Sequence, residues 1–408
     1  MKKIIIILIG LLSFSGLQAQ EKLNTYLETA AKNNPGLKAK FNQYMAALEV
    51  APQVGQLPDP SIAFGFFIQP VETRVGPQQA KFSASQMFPW FGSLRAKENT
   101  AIQSAKAKFE LFEESKSRLF NEVKSTYFNL YFLKKALEIT SENINILNSF
   151  QRLALIKIEA GKASTVDELR VEMEIANLEN ELELLKDKFL ALSVIFNKLL
   201  HVESNAFISI PDVLWDESFE FEKLELKNQI LEKNHQLLSL DYQFESLRFK
   251  QEVAKKSGSP NINLGIDYAV VGKGNNNLSG KDAFLFPKIG ITLPIYRNKY
   301  KTMVNEVIFL QEAKKEEKLN KVNTLESIFE NAYKDYRDAN RRITLFESQA
   351  ELAKKSLKMI EVQYATNGKE FQEVLRMERR LLKYNLEKEK ARSDKHAAIA
   401  FINYLKGN

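Results

Sequence analysis

The chain has 408 residues, with 58 Lys and Arg against 51 Asp and Glu and a net charge of +7. So small a surplus among so many charged groups gives no case for nucleic-acid binding. The sequence has no Cys, which excludes disulfides, thiolate zinc sites, iron–sulfur clusters and Cys nucleophiles. A hydrophobic content of 44% is enough for an ordered structure and argues against disorder.

The first residues have the pattern of a secretory signal peptide. Lys2 and Lys3 precede an apolar run from Ile4 to Leu12, and Ala19 supplies the small residue expected at a cleavage site. The apolar run is too short to span a bilayer, which takes about 20 residues. We therefore expect residues 1–19 to be removed on export. Because the chain has no Cys, we also expect no lipid anchor on the mature protein.

The positions of Pro and Gly indicate where the long helices lie. All eleven prolines fall between residues 35 and 89 or between 211 and 294, and a long block without Pro follows each window. Helix interiors exclude Pro and Gly most strongly. Each block therefore predicts two long helices with one break, at Gly161 in the first block and at Gly368 in the second.

The two halves of the chain also match position by position. Asn34 corresponds to Asn234, and Gly161 to Gly368, with other pairs between them in the same order. This pattern predicts a tandem repeat of about 206 residues, far longer than the repeat of a solenoid protein. We place repeat 1 at residues 20–211 and repeat 2 at 212–408.

Each repeat is predicted to contain a helix, an apolar β-hairpin, a long helix, a turn and a further helix. In repeat 1 the first helix is expected over Glu21–Ala51, the long helix over Arg95–Glu159 and the last over Ser164–Leu200. The long helix has the heptad spacing of a coiled coil, with apolar residues at Val123, Leu130, Leu137 and Ile144. The predicted fold class is mainly α with a small β part, built from long antiparallel coiled-coil hairpins.

Four predicted strands each have one apolar and one polar or small face. The apolar face of the first strand runs from Ile62 to Ile68, and Leu285 and Pro287 are expected on the apolar face of the fourth. The other face is predicted to line a lumen and comprises Ser61, Ala63, Gly65, Lys81, Ser83, Ser85, Asn261, Asn263, Asp267, Lys288 and Thr292. A sheet packed on a soluble core alternates in the same way. However, no other apolar layer in the sequence is free to cover these faces, and strands of about 9–10 residues suit a membrane.

Four strands cannot close a barrel, and lipid tolerates no open sheet edge. Two copies would give eight strands and a lumen filled with side chains, whereas three would give twelve and leave room for a pore. The small and polar inner face favours the pore. We therefore expect a homotrimer with a 12-stranded transmembrane β-barrel, continued by a helical tube (an α-barrel).

This arrangement resembles the TolC-like outer membrane efflux proteins over essentially the whole mature chain. The motifs that carry the resemblance are Asn34-Pro35 with Leu37, Gly55-x-Leu57-Pro58-Asp59-Pro60, Gln86-x-x-Pro89 with Gly92, and Leu293-Pro294-Ile295-Tyr296. The hairpin tip expected at Gln69–Arg74 is most similar to the branch that contains the CusC and CzcC heavy-metal efflux components.

The resemblance implies a homotrimeric duct in the outer membrane of a Gram-negative bacterium, without catalytic activity or cofactors, that exports small solutes, drugs or metal ions. The family docks through its periplasmic helix tips, here Gly161, Lys162, Gly368 and Lys369, onto an adaptor (a membrane fusion protein). An inner-membrane pump, commonly of the resistance–nodulation–division type, supplies the energy. Acidic residues narrow the family's closed tips.

The positions that match this periplasmic gate are Asp167 and Glu373, with Arg376 where a second acidic residue would be expected. The spacing of Glu373 and Arg376 allows an ion pair on one helix face or between chains. An ordinary exposed salt-bridged helix surface is the alternative interpretation.

Two other classes of protein fit the sequence less well. A periplasmic coiled-coil adaptor or scaffold protein of an export complex would share the long helices and the signal peptide, but it would carry further strand-rich modules for which the helical blocks leave no space. An enzyme is not indicated, because no P-loop or catalytic cleft is apparent. His201, His235 and His396 each stand alone on a predicted helix without the spacing of metal ligands.

Overall fold

The structure is a computed structural model that describes residues 20–219, 222–274, 280–367 and 371–408. The predicted signal peptide at 1–19 lies outside these ranges, as do Gly368 and Lys369 of the second predicted tip. The chain divides into two compact units. The described residues within Met1–Lys40, Glu113–His235 and Val322–Asn408 form the helical unit, and those within Phe41–Phe112 and Gln236–Lys321 form the sheet unit.

The secondary-structure elements have the predicted order in each half of the chain. In the first half they are α1 (20–33), α2 (Pro35–Leu48), α3 (Val50–Val54), β1 (Ser61–Thr73), β2 (Gly76–Phe88), α4 (Ser93–Glu159) and α5 (Thr165–Leu199). In the second half they are α6 (Lys223–Lys233), α7 (His235–Ser257), β3 (Asn261–Val271), β4 (Ala283–Thr292), α8 (Arg297–Asn367) and α9 (Phe371–Leu405). The prediction of a mainly helical fold with one small sheet is confirmed.

Three of the four heptad residues of α4 are buried in the core of the helical unit, and Leu137 is partly buried. Val123 and Leu130 are fully covered, and Ile144 is 9% exposed. Four helices share one apolar cluster, which consists of Ile144, Leu147, Ala154, Val171, Ile175, Leu357, Tyr364, Phe371, Val374 and Leu375. Leu133 of α4 packs in a second cluster with Leu185 of α5. The C-terminal part of α4 therefore packs on the N-terminal part of α5, while Leu133, further back in α4, packs on Leu185, further along α5. The two helices run antiparallel. Among the described residues, no helix is both long and apolar enough to cross a membrane.

The prediction of one continuous helix over Glu21–Ala51 is wrong, because the helix breaks at Asn34. Asn34 Oδ1 accepts a hydrogen bond from the Leu37 amide at 3.1 Å, and Pro35 occupies the first position of α2. Both are features of a helix start. Asn34 Nδ2 also donates to the Leu199 carbonyl oxygen at 3.1 Å, at the end of α5.

A matching contact occurs in the second half of the chain. Asn234 Nδ2, between α6 and α7, donates to the Leu405 carbonyl oxygen at 2.9 Å, at the end of α9. Each asparagine thus donates a hydrogen bond to a carbonyl oxygen in the last turn of another helix, where carbonyls have no partner within that helix. The correspondence supports the tandem repeat, which stays a prediction.

His201 lies in the turn that ends α5, not on a helix as expected. Its φ is +53°, and the amides of His201 and Val202 donate to the Lys198 and Asn197 carbonyl oxygens at 3.1 and 3.0 Å. This is a Schellman motif, whose left-handed position usually holds Gly. At the end of α9 the corresponding left-handed residue is Gly407, with φ +84°. Of these two similar turns, the one after α5 therefore has a non-Gly residue, His201, in the strained left-handed conformation.

The four strands form one antiparallel sheet in the order β1-β2-β3-β4. β1 extends to Thr73, so most of the hairpin tip predicted at Gln69–Arg74 is strand. The expectation that Leu285 lies on the apolar face of β4 is also wrong. An irregularity separates the Gly265–Lys288 pair from the next, and Leu285 is the register partner of Asp267.

Candidate functional site

The sheet exposes the side chains that a soluble protein would bury. Ile62 and Ile68 of β1 are 82% and 93% exposed, and large apolar residues of the same face on the other three strands are also exposed: Phe82, Leu264, Ile266, Ile289 and Ile291. On β3 the order of burial is inverted, since Asp267 is 6% exposed and Ile266 38%. Burying one large apolar side chain contributes about 1.5–3 kcal/mol, so a contiguous exposed face marks contact with a membrane or a partner.

Strand register places the eleven predicted lumen residues on the other face. Register partners in antiparallel strands share a face. The partner pairs are Ser61 with Ser85, Ala63 with Ser83, Gly65 with Lys81, Ser83 with Asp267, Ser85 with Gly265, Asn261 with Thr292, and Gly265 with Lys288; Asn263 pairs with Gly290. The eleven residues therefore share one face, which also carries Met87 opposite Asn263 and Leu285 opposite Asp267, and the role of this face as a lumen stays a prediction.

Three of these residues form an ion-pair cluster across three neighbouring strands. Lys81 Nζ lies 2.9 Å from Asp267 Oδ2, and Lys288 Nζ lies 3.1 Å from the same oxygen. The Asp267 side chain is 8% exposed, whereas those of Lys81 and Lys288 are 42% and 49% exposed. The carboxylate is thus covered by two ammonium groups that face solvent. Sequence analysis predicted each residue but not the contact between them.

The outer strands β1 and β4 are the two edges of the sheet. An edge strand presents amide and carbonyl groups without ladder partners, which is a template for pairing with another chain. Both edges are long, 13 residues in β1 and 10 in β4.

The first predicted helix tip is a closed turn between α4 and α5. Gly161 has φ +66°, its amide donates to the Ile158 carbonyl oxygen at 2.9 Å, and the Lys162 amide donates to that of Lys157 at 2.8 Å. This Schellman motif requires the left-handed residue that Gly supplies at no steric cost. Ser164 Oγ then accepts from the Val166 amide at 3.2 Å and starts α5. Gly161 and Lys162 remain exposed at the turn.

Of the three predicted gate residues, Glu373 and Arg376 are in contact and Asp167 has a different partner. Asp167 pairs with Arg170 of its own helix at 3.2 Å, and Glu373 pairs with Arg376 along α9. The side chain of Asp167 is 15% exposed, and those of Glu373 and Arg376 are 36% and 56% exposed. The Glu373–Arg376 pair matches the expected pair on one helix face. An ion pair at this exposure contributes about 0–1 kcal/mol.

Lys157 is a buried cation near this tip that sequence analysis missed. Its Nζ donates to the carbonyl oxygens of Tyr364 and Ala365, at 2.8 and 3.0 Å, and lies 4.8 Å from the centre of the Tyr364 ring. These carbonyls belong to the last turn of α8, where the helix leaves carbonyls without partners. Lys157 therefore ties the end of α4 to the end of α8. No local sequence pattern signals such a contact.

Glu378 is a buried acid that was also missed. It is 2% exposed on α9 and accepts a hydrogen bond from Asn143 Nδ2 of α4 at 3.1 Å. Burial raises the pKa of Glu378 to about 7, and the charge of Glu361 on α8 adds to the rise. Its spacing from the buried Phe371, Leu375 and Leu382 puts it on the apolar stripe of α9. An acid on such a stripe was the signal that could have identified it.

A second buried cluster fixes the segment between α5 and α6 to α9. His396 Nδ1 lies 3.3 Å from Glu217 Oε2, which also accepts from Trp215 Nε1 at 3.1 Å. Burial favours a higher pKa for Glu217, but the hydrogen bonds from His396 and Trp215 outweigh it and hold the pKa below its usual value. Within the described ranges, no three His, Asp or Glu side chains gather as metal ligands. We assign this cluster a structural role.

Comparison with known proteins relates this geometry to outer membrane channels. Residues 26–194 match the model of a family described as outer membrane efflux protein. A comparison of the sequence with curated proteins finds no significant match. Among solved structures, the chain is similar to the outer-membrane channel OprN, at 16% identity and a TM-score of 0.76, over 95% of this chain and 90% of that one.

Two further solved structures are similar to the same degree. The outer membrane protein VceC from Vibrio cholerae matches at 16% identity and a TM-score of 0.75, over 96% of this chain and 98% of that one. CusC matches at 15% identity and a TM-score of 0.75, over 94% and 92%. The chain therefore has the fold of these outer membrane proteins. Because CusC is no more similar than OprN or VceC, the fold does not distinguish the heavy-metal branch.

Proposed function

We propose that this protein is the outer membrane duct of a tripartite efflux system. It acts as a homotrimer in the outer membrane of a Gram-negative bacterium, performs no catalysis, and passes small solutes, drugs or metal ions from a pump to the exterior. The signal peptide at residues 1–19 directs its export. The match of residues 26–194 to the efflux family model and the shared fold support this assignment.

The observation that carries the proposal is a sheet whose large apolar side chains are exposed. Its exposed apolar face suits lipid, and its polar face suits a water-filled lumen. Its two open edges need further strands, because backbone groups without partners cost several kcal/mol each in lipid. Three copies give twelve strands and close both edges.

The partners follow from the helix tips. In this proposal the exposed turn at Gly161 and Lys162, and the corresponding Gly368 and Lys369, contact a periplasmic adaptor. The adaptor connects the duct to an inner-membrane pump of the resistance–nodulation–division type. The likeness of the hairpin to the CusC and CzcC branch favours metal ions among the possible cargoes.

The proposed gate consists of Asp167, Glu373 and Arg376, which hold the tube narrow until the adaptor engages. Each carboxylate pairs within its own helix, and in this proposal the three residues also make contacts between neighbouring chains. The test is the conductance of the purified channel after Glu373→Ala and Arg376→Ala together. A rise in single-channel conductance supports the gate, and an unchanged value removes it.

The function itself is tested by planar-bilayer conductance of the detergent-extracted protein, with its mass measured in parallel. Discrete conductance from a species of three chains is the expected result, together with an electrophoretic mobility that changes on heating. A protein that stays soluble without detergent and conducts nothing would instead favour the adaptor or scaffold, whose hairpins pack on protein.

A further inference from the structure

We propose that the cluster of Lys81, Asp267 and Lys288 makes this duct select anions over cations. The inference rests on the proposed function, because it requires the polar face of the sheet to line a pore. It assigns a specificity-determining role to three residues and names the favoured cargo class as anionic solutes. It therefore argues against free divalent metal cations, the cargo that the likeness to the CusC and CzcC branch alone would favour.

The charge balance of the cluster is the first argument. Two ammonium groups share one carboxylate, so each chain contributes a net charge of +1 at this level of the sheet. Among Lys, Arg, Asp and Glu, the only other residue in the four described strands is Glu72, next to the β1–β2 turn. Glu72 pairs with Pro77, whereas Lys81 pairs with Gly65, seven residues away along β1, so no second charge in these strands cancels the surplus at the level of the cluster.

The exposure of the groups is the second argument. Asp267 lies beneath its partners at 8% side-chain exposure, while Lys81 and Lys288 remain 42% and 49% exposed. A mobile ion on this face therefore meets ammonium groups before it meets the carboxylate. Rings of Lys or Arg are the usual basis of anion preference in pores, and low-dielectric walls focus their field.

Register is the third argument. Lys81, Asp267 and Lys288 lie on β2, β3 and β4 and are held by paired backbone, with Asp267 opposite Ser83 and Lys288 opposite Gly265. Ser83 also hydrogen-bonds to the Asp267 carboxylate. Lys81 is the register partner of Ala269 and Lys288 that of Gly265, so the two side chains approach Asp267 from opposite directions along β3. Because both ammonium groups contact the same carboxylate oxygen, the two charges meet at the level of Asp267 in each chain, and a trimer would arrange them as a ring.

The experiment is the reversal potential of single channels in a KCl gradient, measured across a series of charge variants. Asp267→Asn raises the net charge of the cluster to about +2 per chain, Lys288→Gln lowers it to about 0, and Lys81→Gln with Lys288→Gln lowers it to about −1. We expect chloride preference in the wild type, a stronger preference in Asp267→Asn and potassium preference in the double variant. Each step should change the permeability ratio about threefold at low salt, and less near 1 M KCl, where the Debye length is about 3 Å.

Two further variants separate charge from shape. A triple variant combines Lys81→Gln, Asp267→Asn and Lys288→Gln, so its cluster is neutral and contains no carboxylate without a cation partner. Its reversal potential should match that of Lys288→Gln even if the double variant fails to fold. Thr292→Asn changes the same face without charge and should leave the reversal potential unchanged. A conducting wild type that prefers potassium, or a series without ordered shifts, overturns the inference. A wild type that does not conduct refutes the proposed function itself.

Discussion

Glu378 gives the helical unit a stability that depends on pH. Burial raises the pKa of Glu378 from an ordinary 4.5 to about 7, so the folded protein retains a proton that the unfolded chain releases between these values. Stability is therefore unaffected below pH 4.5, falls as the pH rises towards 7, and stays reduced above it. At 1.36 kcal/mol per pKa unit, the full loss is about 3 kcal/mol.

The substitution Glu378→Gln removes the titrating group and keeps an oxygen that can accept from Asn143 Nδ2. We expect the variant to be more stable than the wild type by about 3 kcal/mol near pH 8.5, and by less than about 1 kcal/mol near pH 5. Denaturant unfolding of the full chain in detergent at both pH values measures the difference. Glu172→Gln removes an exposed acid from α5 and is the control, expected to show no such trend. Equal effects of Glu378→Gln at both pH values would show that the carboxyl is not held neutral by burial.

Three further substitutions test contacts in the helical unit by the same unfolding assay. His201→Gly relieves a left-handed backbone and should stabilise the chain by about 0.5–1 kcal/mol; a loss of stability would contradict the strain. Asn234→Ala leaves the Leu405 carbonyl oxygen without its donor and should cost about 1–3 kcal/mol, unless another donor replaces it. Lys157→Met keeps the apolar packing but removes both bonds to α8, and should cost about 2–3 kcal/mol and speed amide exchange at its last turn. Unchanged exchange there would mean that Lys157 does not hold the end of α8.

The sequence predicts the long helices well, because their signals are local. The heptads of α4 and the excluded Pro and Gly mark an apolar stripe that is buried in the structure, as Val123 and Leu130 illustrate. The break at Asn34 was not predicted, although Asn-Pro is itself a local helix-start signal. Its amide acts on Leu199, 165 positions away, and that contact depends on how distant helices pack.

Buried polar groups were missed for a related reason. From the sequence alone, Lys157 and Glu378 have the character of ordinary charged residues on a solvated helix surface. Only the packing of four helices shows that both side chains are buried away from water. Once water is excluded, an amine must find carbonyls and an acid must keep its proton, since an unpaired buried charge is costly. The Lys157 amine donates to the Tyr364 carbonyl oxygen, and the Glu378 carboxyl, beside Asn143, keeps its proton.

The polar face of the sheet shows where sequence reasoning ends and structure begins. Alternation along each strand assigns Lys81 and Asp267 to the same face, but it says nothing about their height. Their contact depends on the pairing of β2 with β3, which joins strands from the two halves of the chain across 186 positions of sequence. Sliding that pair by two residues would preserve every inward and outward assignment and still separate the ammonium group from the carboxylate. The charge that an ion meets is therefore a property of register, and only a register-level structure makes the selectivity of the duct a testable claim.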